Sequence, residues 1–242
     1  NPFEAVKTNI IGTQNIIDSS MQNNVEKVIA LSTDKASSPI NLYGATKLTS
    51  DKLFISANNY KGKKNVKFSI VRYGNVMGSR GSVIPLFLEQ KKKNLITITD
   101  KRMTRFNITL NSAVDFVMNS LSLMKGGEIF VPKLSSYKIL DLKNAISAKS
   151  KIKLVGSRTG EKLHEELISI HEIENTLEYK NYFTIIPNSP YLNWDRKNFI
   201  KKEIRNGAKM YSSKNPYNSL NNKYFLNKNE LSQLIKKNFP ND

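Results

Sequence analysis

Apolar residues near the start of the chain alternate between helical periodicity and short continuous runs. Residues 2–23 and 42–59 repeat apolar positions at helical spacing. Residues 25–32, in which Val28–Leu31 form a continuous apolar run, follow the first of these stretches, and residues 68–73 follow the second. A continuous apolar run is typical of a strand buried on both faces of a parallel sheet. The order helix, strand, helix, strand therefore predicts an α/β fold with crossover helices.

The pattern becomes shorter and more mixed after Gly74. The apolar spacing and the Gly and Pro breaks predict helices at residues 83–91, 112–124, 139–146 and 160–168, and strands at residues 96–99, 128–131 and 152–155. Beyond Pro187 periodicity is weak, and we predict a loosely folded extension with one final helix at residues 231–237. The second half is therefore predicted to be a smaller α+β region.

Composition removes several classes of site. The 242 residues contain no Cys and only two His, which excludes disulfides and thiolate metal sites and argues against a histidine-rich metal centre. No apolar run approaches the roughly 18 to 20 residues that span a bilayer, and no signal peptide opens the chain.

The formal net charge of +18 is typical of a nucleic-acid-binding module. However, 31 of the 38 basic residues are Lys and Asn occurs 29 times, which indicates a compositional bias spread over the surface. No basic run is interleaved with aromatic residues as a base-stacking surface requires. We favour a solvated basic surface without nucleic acid, and keep nucleic-acid binding as the alternative from another class.

Chemistry-bearing side chains cluster where the first predicted strand ends. Thr33, Asp34 and Lys35 follow that strand directly, and ligands of parallel sheets bind at the carboxyl ends of strands. Tyr43 and Lys47 are four residues apart on the next helix and share one of its faces. An ammonium beside a phenol favours the phenolate, which makes tyrosine a usable general base.

The tyrosine–lysine spacing alone is weak evidence. It also occurs at Tyr60 and Lys64 and at Tyr224 and Lys228, as expected by chance in a lysine-rich chain. Tyr43 as an ordinary surface aromatic is the structural alternative. Only the Tyr43 pair follows a buried strand that ends in hydroxyl, carboxylate and ammonium groups.

Five segments together resemble the extended short-chain dehydrogenases/reductases that modify nucleotide sugars. They are residues 31–47, LSTDKASSPINLYGATK; residues 71–83, VRYGNVMGSRGSV; residues 103–106, MTRF; residues 127–132, GEIFVP; and residues 160–165, GEKLHE. Within that family the chain most resembles the soluble, C5-inverting UDP-N-acetylglucosamine 4,6-dehydratases of pseudaminic acid biosynthesis. The resemblance is ordered and runs from Asn1 to about Pro187.

The resemblance implies an NADP-dependent lyase reaction: oxidation at C4, loss of water across C5 and C6, and reduction at C6. Tyr43 is then expected to take the C4 hydroxyl proton, and Lys47 to contact the nicotinamide ribose. Thr33 would hydrogen-bond the C4 hydroxyl, Lys35 would remove the C5 proton, and Asp34 would protonate the departing C6 hydroxyl. The carboxyl and the amine form a coupled pair, so their separate protonation states stay open.

The family also assigns substrate contacts to the second half. Arg105 and Arg158 match positions near the diphosphate, Asn75 matches a nucleotide contact, and Glu161 could accept from the uridine ribose. The structural alternatives are surface pairing of both arginines with Glu and a helix-first-turn acid at Glu161. His164 is expected to pack or cap rather than to catalyse.

Tyr at position 43 has a further implication by resemblance, since membrane-attached, C5-retaining relatives typically carry Met there. We therefore expect an inverting enzyme that is not bound to a membrane, in which Tyr43 reprotonates C5. The resemblance also implies a cytoplasmic homo-oligomer. Its product, a 4-keto-6-deoxy sugar nucleotide, is expected to serve flagellin glycosylation. The enzymatic alternative is a nucleotide-sugar 4-epimerase, which shares the tyrosine–lysine base but needs no Asp34–Lys35 pair.

By resemblance, the domain organisation has three segments. Residues 1–75 are expected to be the C-terminal part of an NADP-binding Rossmann domain, residues 76–190 mainly the substrate-binding region, and residues 191–242 a basic extension. The family's Gly-rich pyrophosphate turn does not occur in this sequence. We therefore expect a piece of a longer protein that lacks most of its cofactor site and is inactive alone.

Overall fold

The computed structural model describes residues 1–191 and 194–239, which fall into two compact units. Unit 1 comprises Asn1–Tyr73, Val114–Lys133 and Glu166–Tyr217, and unit 2 comprises Gly74–Ala113, Leu134–Glu165 and the chain from Asn218 onward. Each unit is discontinuous in sequence. These units do not coincide with the contiguous segments 1–75, 76–190 and 191–242, because two later segments belong to unit 1.

The helices and strands of the described residues are as follows. The helices are α1 Pro2–Val6, α2 Gly12–Gln22, α3 Leu42–Tyr60, α4 Val83–Lys91, α5 Leu110–Leu123, α6 Ile139–Ile146, α7 Arg196–Arg205 and α8 Lys228–Asn238. The strands are β1 Lys27–Thr33, β2 Lys67–Tyr73, β3 Leu95–Ile98, β4 Thr104–Asn107, β5 Ile129–Pro132, β6 Ser135–Lys138, β7 Lys151–Leu154, β8 Glu166–Ile168, β9 Thr176–Glu178, β10 Tyr182–Ile185, β11 Lys209–Met210 and β12 Tyr217–Asn218. A π-helical turn, Lys7–Ile11, joins α1 to α2, and a 3-10 helix spans Ile170–Asn175.

Unit 1 is built on a six-stranded sheet with the order β1-β2-β5-β10-β9-β11. The first three strands are parallel, and β10, β9 and β11 extend the sheet in antiparallel fashion. The register pairs Thr33 with Tyr73, so β1 and β2 end side by side. Phe68, Ile70 and Val71 in β2 are fully buried, as predicted. The same prediction is wrong for β1, where Leu31 is 49% exposed, because β1 lies at the end of the strand order.

Unit 2 contains two small sheets and its own core. β3 pairs in parallel with β7, and β4 pairs antiparallel with β6. Apolar side chains of α4, α6, α8 and β3 form the core between them, including Phe87, Ile96, Leu142 and Leu231. Because α8 contributes Leu231 and Ile235 to this core, the end of the chain is part of the unit rather than an appendage.

The predicted α/β fold with a parallel sheet is confirmed, and so are the helices at residues 83–91 and 139–146 with their bounds. The helix predicted at residues 160–168 is wrong. Gly160 has φ +78°, and the neighbours Leu167 and Ile168 are both fully buried in a strand. Adjacent buried positions fit a strand covered on both faces, whereas a surface helix would expose one of them.

The region beyond Pro187 is also more ordered than predicted. It contains α7, β11 and β12 besides the expected final helix, and Ala208 and Tyr217 are buried. β4, β6, β9 and β10 were not predicted either. Each has only three or four residues, which is too short to show a period.

Candidate active site

The carboxyl end of β1 carries three consecutive functional side chains. Thr33 Oγ1 donates a hydrogen bond to Asp34 Oδ1 at 2.9 Å, and Lys35 Nζ donates to the same oxygen at 3.0 Å. The Asp34 backbone N–H donates to the Tyr73 carbonyl at the end of β2, at 3.2 Å. The parallel pairing thus continues one residue past β1 and fixes the aspartate at the sheet edge.

Asp34 and Lys35 differ sharply in exposure. Asp34 is 0% exposed, whereas the Lys35 side chain is 32% exposed. The second carboxylate oxygen, Asp34 Oδ2, is buried and has no hydrogen-bond partner among the described residues. A buried polar atom without a partner is unfavourable by about 1 to 3 kcal/mol. This oxygen is therefore suited to carry a proton or to meet a ligand.

The start of α3 places the tyrosine and lysine. The Asn41 side chain caps the helix by accepting from the Gly44 backbone N–H at 2.8 Å, which puts Tyr43 in the first turn. Tyr43 is 49% exposed. Lys47, one turn later, donates from Nζ to the Leu31 carbonyl of β1 at 2.8 Å. The ammonium therefore lies between α3 and the last residues of β1.

Gly44 allows the loop after β1 to pack against the first turn of α3. A Cβ atom at this position would overlap the Lys35 carbonyl oxygen and would lie 3.0 Å from Pro39 Cβ. Only glycine permits this approach. Gly44 therefore brings the backbone beside Tyr43 against the backbone of Lys35.

The loop between β1 and α3 is anchored by one carboxylate. Glu166 Oε1, at the start of β8, accepts from the Ser37 hydroxyl at 2.9 Å and from the Ser38 hydroxyl at 2.6 Å. Ser38 has φ +46°, a left-handed conformation that is uncommon for serine. The two hydrogen bonds hold the loop in this conformation and limit where Lys35 can move.

A buried charge network lies behind the same strand end. The Ser32 hydroxyl donates to Asp51 Oδ2 of α3 at 2.7 Å, and Arg72 Nη2 of β2 lies 3.6 Å from that oxygen. Arg72, 1% exposed, also donates from Nη1 to both Glu172 carboxylate oxygens at 3.0 Å. Burial raises the pKa of Asp51 despite the opposing effect of Arg72. Burial would also raise the pKa of Glu172, but Arg72 and Ser169 outweigh it and lower that pKa.

The residues predicted to bind substrate lie in unit 2. Asn75 follows β2 in sequence, and its backbone carbonyl accepts from the Ile108 N–H at 3.2 Å. The side-chain oxygen of Asn75 is buried without a hydrogen-bond partner among the described residues. An amide with an open acceptor is suited to a ligand donor.

Arg105 is held by acceptors of its own unit. It is in β4, its side chain is 11% exposed, and Nη1 donates to the carbonyls of Thr104 and Leu163 at 2.8 and 3.0 Å. Its Nη2 lies 3.6 Å from Glu161 Oε1, and its Nε lies 3.7 Å from Glu165 Oε1. Pairing with Glu, the structural alternative for this arginine, is therefore present, although the pair is largely buried.

Arg158 and Glu161 form the turn that precedes this cluster. The Arg158 backbone N–H donates to Glu161 Oε2 at 3.2 Å, and the Glu161 N–H donates to the Arg158 carbonyl at 3.1 Å. The Arg158 side chain is exposed. Glu161 thus closes a turn and faces Arg105, rather than beginning a helix.

His164 completes the unit 2 cluster. Its Nδ1 is 2.9 Å from Thr104 Oγ1, which is also 2.7 Å from the Ser219 hydroxyl. Burial lowers the pKa of His164, and the neighbouring Arg105 and Arg102 lower it further. A neutral, hydrogen-bonded histidine fits the packing role expected of it.

Sequence reasoning missed Gly44, Glu166 and the Asp51–Arg72 pair. Two signals pointed to them. Glycine in the first turn of a helix is unfavourable unless close packing requires it. An arginine inside the continuous apolar run of β2 must also find buried partners.

Residues 1–191 and 194–239 contain neither a candidate metal site nor a helix that could span a membrane. Within these ranges no group of three or more His, Cys, Asp or Glu side chains could hold a metal ion. None of the helices described there is both long enough and apolar enough to cross a bilayer.

Comparisons with known proteins show which family the chain is similar to. The profile of a family described as "Polysaccharide biosynthesis protein" matches residues 1–187. The chain is 47% identical over 237 residues to a UDP-N-acetylglucosamine 4,6-dehydratase (inverting) from Campylobacter jejuni, covering 97% of this chain and 71% of the relative. It is 39% identical over 239 residues to a UDP-glucose 4-epimerase from Rickettsia bellii, covering 97% of this chain and 68% of the relative.

The structural comparison covers nearly the whole chain. The X-ray structure of Pen from Bacillus thuringiensis superposes with a TM-score of 0.83 at 39% identity, covering 98% of this chain and 70% of that one. The match extends past Pro187, where the sequence resemblance ended. The ordered region found there is therefore shared with a solved relative.

Proposed function

This chain belongs to the polysaccharide biosynthesis protein family, and from that membership and the site we propose that it acts as a UDP-N-acetylglucosamine 4,6-dehydratase of the C5-inverting type. The substrate is UDP-N-acetylglucosamine and the product is a 4-keto-6-deoxy UDP-sugar. The 47% identity to an inverting dehydratase supports the reaction class. The residues at the end of β1 supply the chemistry.

The observation that carries the proposal is the Lys35–Asp34 hydrogen bond of 3.0 Å on a buried carboxyl group. A proton that moves along this bond converts an ion pair into a neutral amine and a carboxylic acid. Those two species are the base and the acid that elimination of water requires.

Tyr43 and Lys47 of α3 suit a nicotinamide dinucleotide. The Tyr43 phenol is half exposed, and the Lys47 ammonium has three donors, of which the Leu31 carbonyl accepts one. The remaining donors suit the hydroxyls of a ribose, and we assign the cofactor as NADP. When bound, a nicotinamide would supply the redox chemistry, taking a hydride from C4 and returning it at C6.

The side chains of this cluster divide the proton transfers among themselves. Tyr43 takes the proton of the C4 hydroxyl while Thr33 hydrogen-bonds that hydroxyl. Once C4 is a ketone, the C5 proton is acidic and passes to the Lys35 amine. Asp34 gives its proton to the C6 hydroxyl, which leaves as water. Tyr43 then returns a proton to C5 from the opposite face, which inverts that centre.

Substrate binding falls to residues of unit 2. Arg158 is exposed, so its guanidinium can donate two parallel hydrogen bonds to a diphosphate. The side-chain oxygen of Asn75 can accept a hydrogen bond from the nucleotide. Arg105 and Glu161 hold each other at 3.6 Å, so we assign Arg105 to the diphosphate region and Glu161 to the uridine ribose as a pre-arranged pair. Pre-arrangement lowers the entropic cost of binding.

The wider setting follows the same proposal. We assign the protein to the cytoplasm as a homo-oligomer, and its product to pseudaminic acid biosynthesis and flagellin glycosylation. The family membership supports a role in surface polysaccharide assembly.

A 4-epimerase is the second candidate, since a relative at 39% identity is named as one. An epimerase uses Tyr43 and Lys47 but has no step for an acid and an amine at the end of β1. Proton NMR of the product formed by the complete gene product separates the two. A new C6 methyl signal supports dehydration, and a product that keeps its C6 hydroxymethyl group supports epimerisation.

The Lys35→Ala variant tests the role of the amine. We expect it to exchange hydrogen at C4 of the substrate but to release no 4-keto-6-deoxy product, because the C5 proton has no acceptor. Lys52→Ala, an exposed lysine of α3, is the matched control and keeps wild-type turnover. Full dehydration by the Lys35→Ala variant would remove the basis of the proposal.

A further inference from the structure

A hydrogen bond outside the reacting groups connects α3 to the strand end that holds Thr33, Asp34 and Lys35. Ser32, the residue before Thr33, donates to Asp51 Oδ2 at 2.7 Å. Asp51 lies one turn after Lys47 and two turns after Tyr43 on the same helix. One hydrogen bond therefore connects the strand that carries the acid and amine to the helix that carries the phenol.

Asp51 is fixed in turn by a buried arginine. Arg72 Nη2 lies 3.6 Å from Asp51 Oδ2, and its Nη1 donates to Glu172 and to the Leu167 carbonyl. Ser32, Asp51 and Arg72 are all buried. Because Asp51 and Arg72 are both buried, a movement that separates them leaves a buried charge without its partner, which is costly.

We propose that Ser32, Asp51 and Arg72 are positioning residues that set the register of α3 against the carboxyl end of β1, and so fix Tyr43 relative to Asp34 and Lys35. This inference rests on the proposed function for its kinetic consequence. Its structural consequence does not depend on turnover. Polar groups that keep the reacting side chains within about 0.5 Å of their productive positions contribute to the rate rather than to substrate affinity.

The chain offers a matched pair of single-hydroxyl deletions. Ser32→Ala removes the hydrogen bond between β1 and α3. Ser50→Ala removes a buried hydroxyl from the same helix, where Ser50 Oγ is 2.7 Å from Thr13 Oγ1 of α2 and does not bond β1. Each variant loses one buried side-chain hydrogen bond, to a carboxylate in Ser32→Ala and to a hydroxyl in Ser50→Ala, so a merely structural effect lowers the melting temperature of both.

Of these two variants, we expect Ser32→Ala alone to lower kcat of the complete gene product, by about 10- to 100-fold, with KM for the nucleotide sugar unchanged. Ser50→Ala keeps the wild-type kcat. Asp51→Asn, which keeps an oxygen to accept from Ser32 but loses the charge facing Arg72, lowers kcat as well. Equal losses of kcat in the Ser32 and Ser50 variants, or a loss in neither, would overturn the inference.

A spectroscopic measurement separates this inference from the reaction itself. Tyrosine labelled with carbon-13 at Cζ reports the surroundings of each phenol, and the Tyr43→Phe variant assigns the Tyr43 signal. We expect Ser32→Ala to change the chemical shift of Tyr43 Cζ, and Ser50→Ala to leave it in place. If Lys35→Ala still dehydrates but the Tyr43 signal moves as expected, the proposed function fails and the positioning role stands. An unmoved Tyr43 signal in Ser32→Ala overturns the positioning role whatever the reaction.

Discussion

The carboxyl end of β1 in unit 1 and the arginine cluster of unit 2 both contain buried or largely buried charged side chains, but these side chains differ in how many partners they have. At the β1 edge, Asp34 is buried yet one of its oxygens has no partner among the described residues. In unit 2, the buried guanidinium of Arg105 is directed at two carbonyls and two carboxylates of its own unit. Removing a charge that is paired within its own unit leaves the partner charges unpaired, whereas an open buried polar atom is suited to meet a ligand.

The two clusters also differ in how the chain assembles them. The residues of the β1 edge lie between Thr33 and Lys47 and need only a strand, a loop and a helix to meet. The Arg105 cluster joins β4 to the turn at Arg158 and Glu161, more than fifty positions later. Side chains that are close in sequence can be placed together from the sequence alone, whereas the contacts of the Arg105 cluster depend on the fold.

The strongest test of the contrast is Tyr43→Phe. Loss of the phenol hydroxyl removes the proposed general base, and we expect kcat of the complete gene product to fall by about 10³-fold. Tyr60→Phe is the matched control, because Tyr60 has the same lysine spacing and is 51% exposed against 49% for Tyr43. Steady-state kinetics of both variants checks the prediction. An equal effect of the two would place Tyr43 among the ordinary surface aromatics.

The arginines of unit 2 should separate stability from binding. Arg105→Gln removes the cation beside Glu161 and Glu165, and we expect the free energy of unfolding to fall by about 3 kcal/mol. Arg158→Gln changes an exposed side chain, so it should leave unfolding unchanged and raise KM for the UDP-sugar. Urea denaturation and steady-state kinetics measure the two effects. An Arg105→Gln variant of full stability with a raised KM would show that this arginine serves the ligand alone.

The close approach at Gly44 gives a smaller effect on stability. Gly44→Ala forces the Lys35 carbonyl and the first turn of α3 apart, and we expect a loss of about 2 kcal/mol in the free energy of unfolding. Gly12→Ala is the opposite control, because its Cβ would meet only the Lys7 carbonyl at 3.5 Å inside a helix. That variant should gain about 0.5 to 1 kcal/mol. Thermal unfolding of the pair checks both signs, and a Gly44→Ala variant as stable as wild type would contradict the close packing.

The elements that the sequence alone predicted well are those with long, regular patterns. The runs that became β1 and β2 and the helical spacing of α3, α4 and α6 predicted the parallel sheet, and with it the position of Thr33, Asp34 and Lys35 at a strand end. The short strands β9 and β10 escaped because three or four residues carry no period. They belong to the main sheet because β10 pairs with β5 and β9 pairs with β10.

Sequence by itself determined which side chains could react, since residue type and local spacing fix the chemistry of the strand–loop–helix from Thr33 to Lys47. Only the tertiary structure decided which of those groups stay open. It buried Asp34 with one oxygen unpartnered, fitted Gly44 against Lys35, and surrounded Arg72 and Arg105 with carboxylates from distant segments. The physical reason is that burial and hydrogen-bond completion are properties of the packed chain, and no local pattern encodes them.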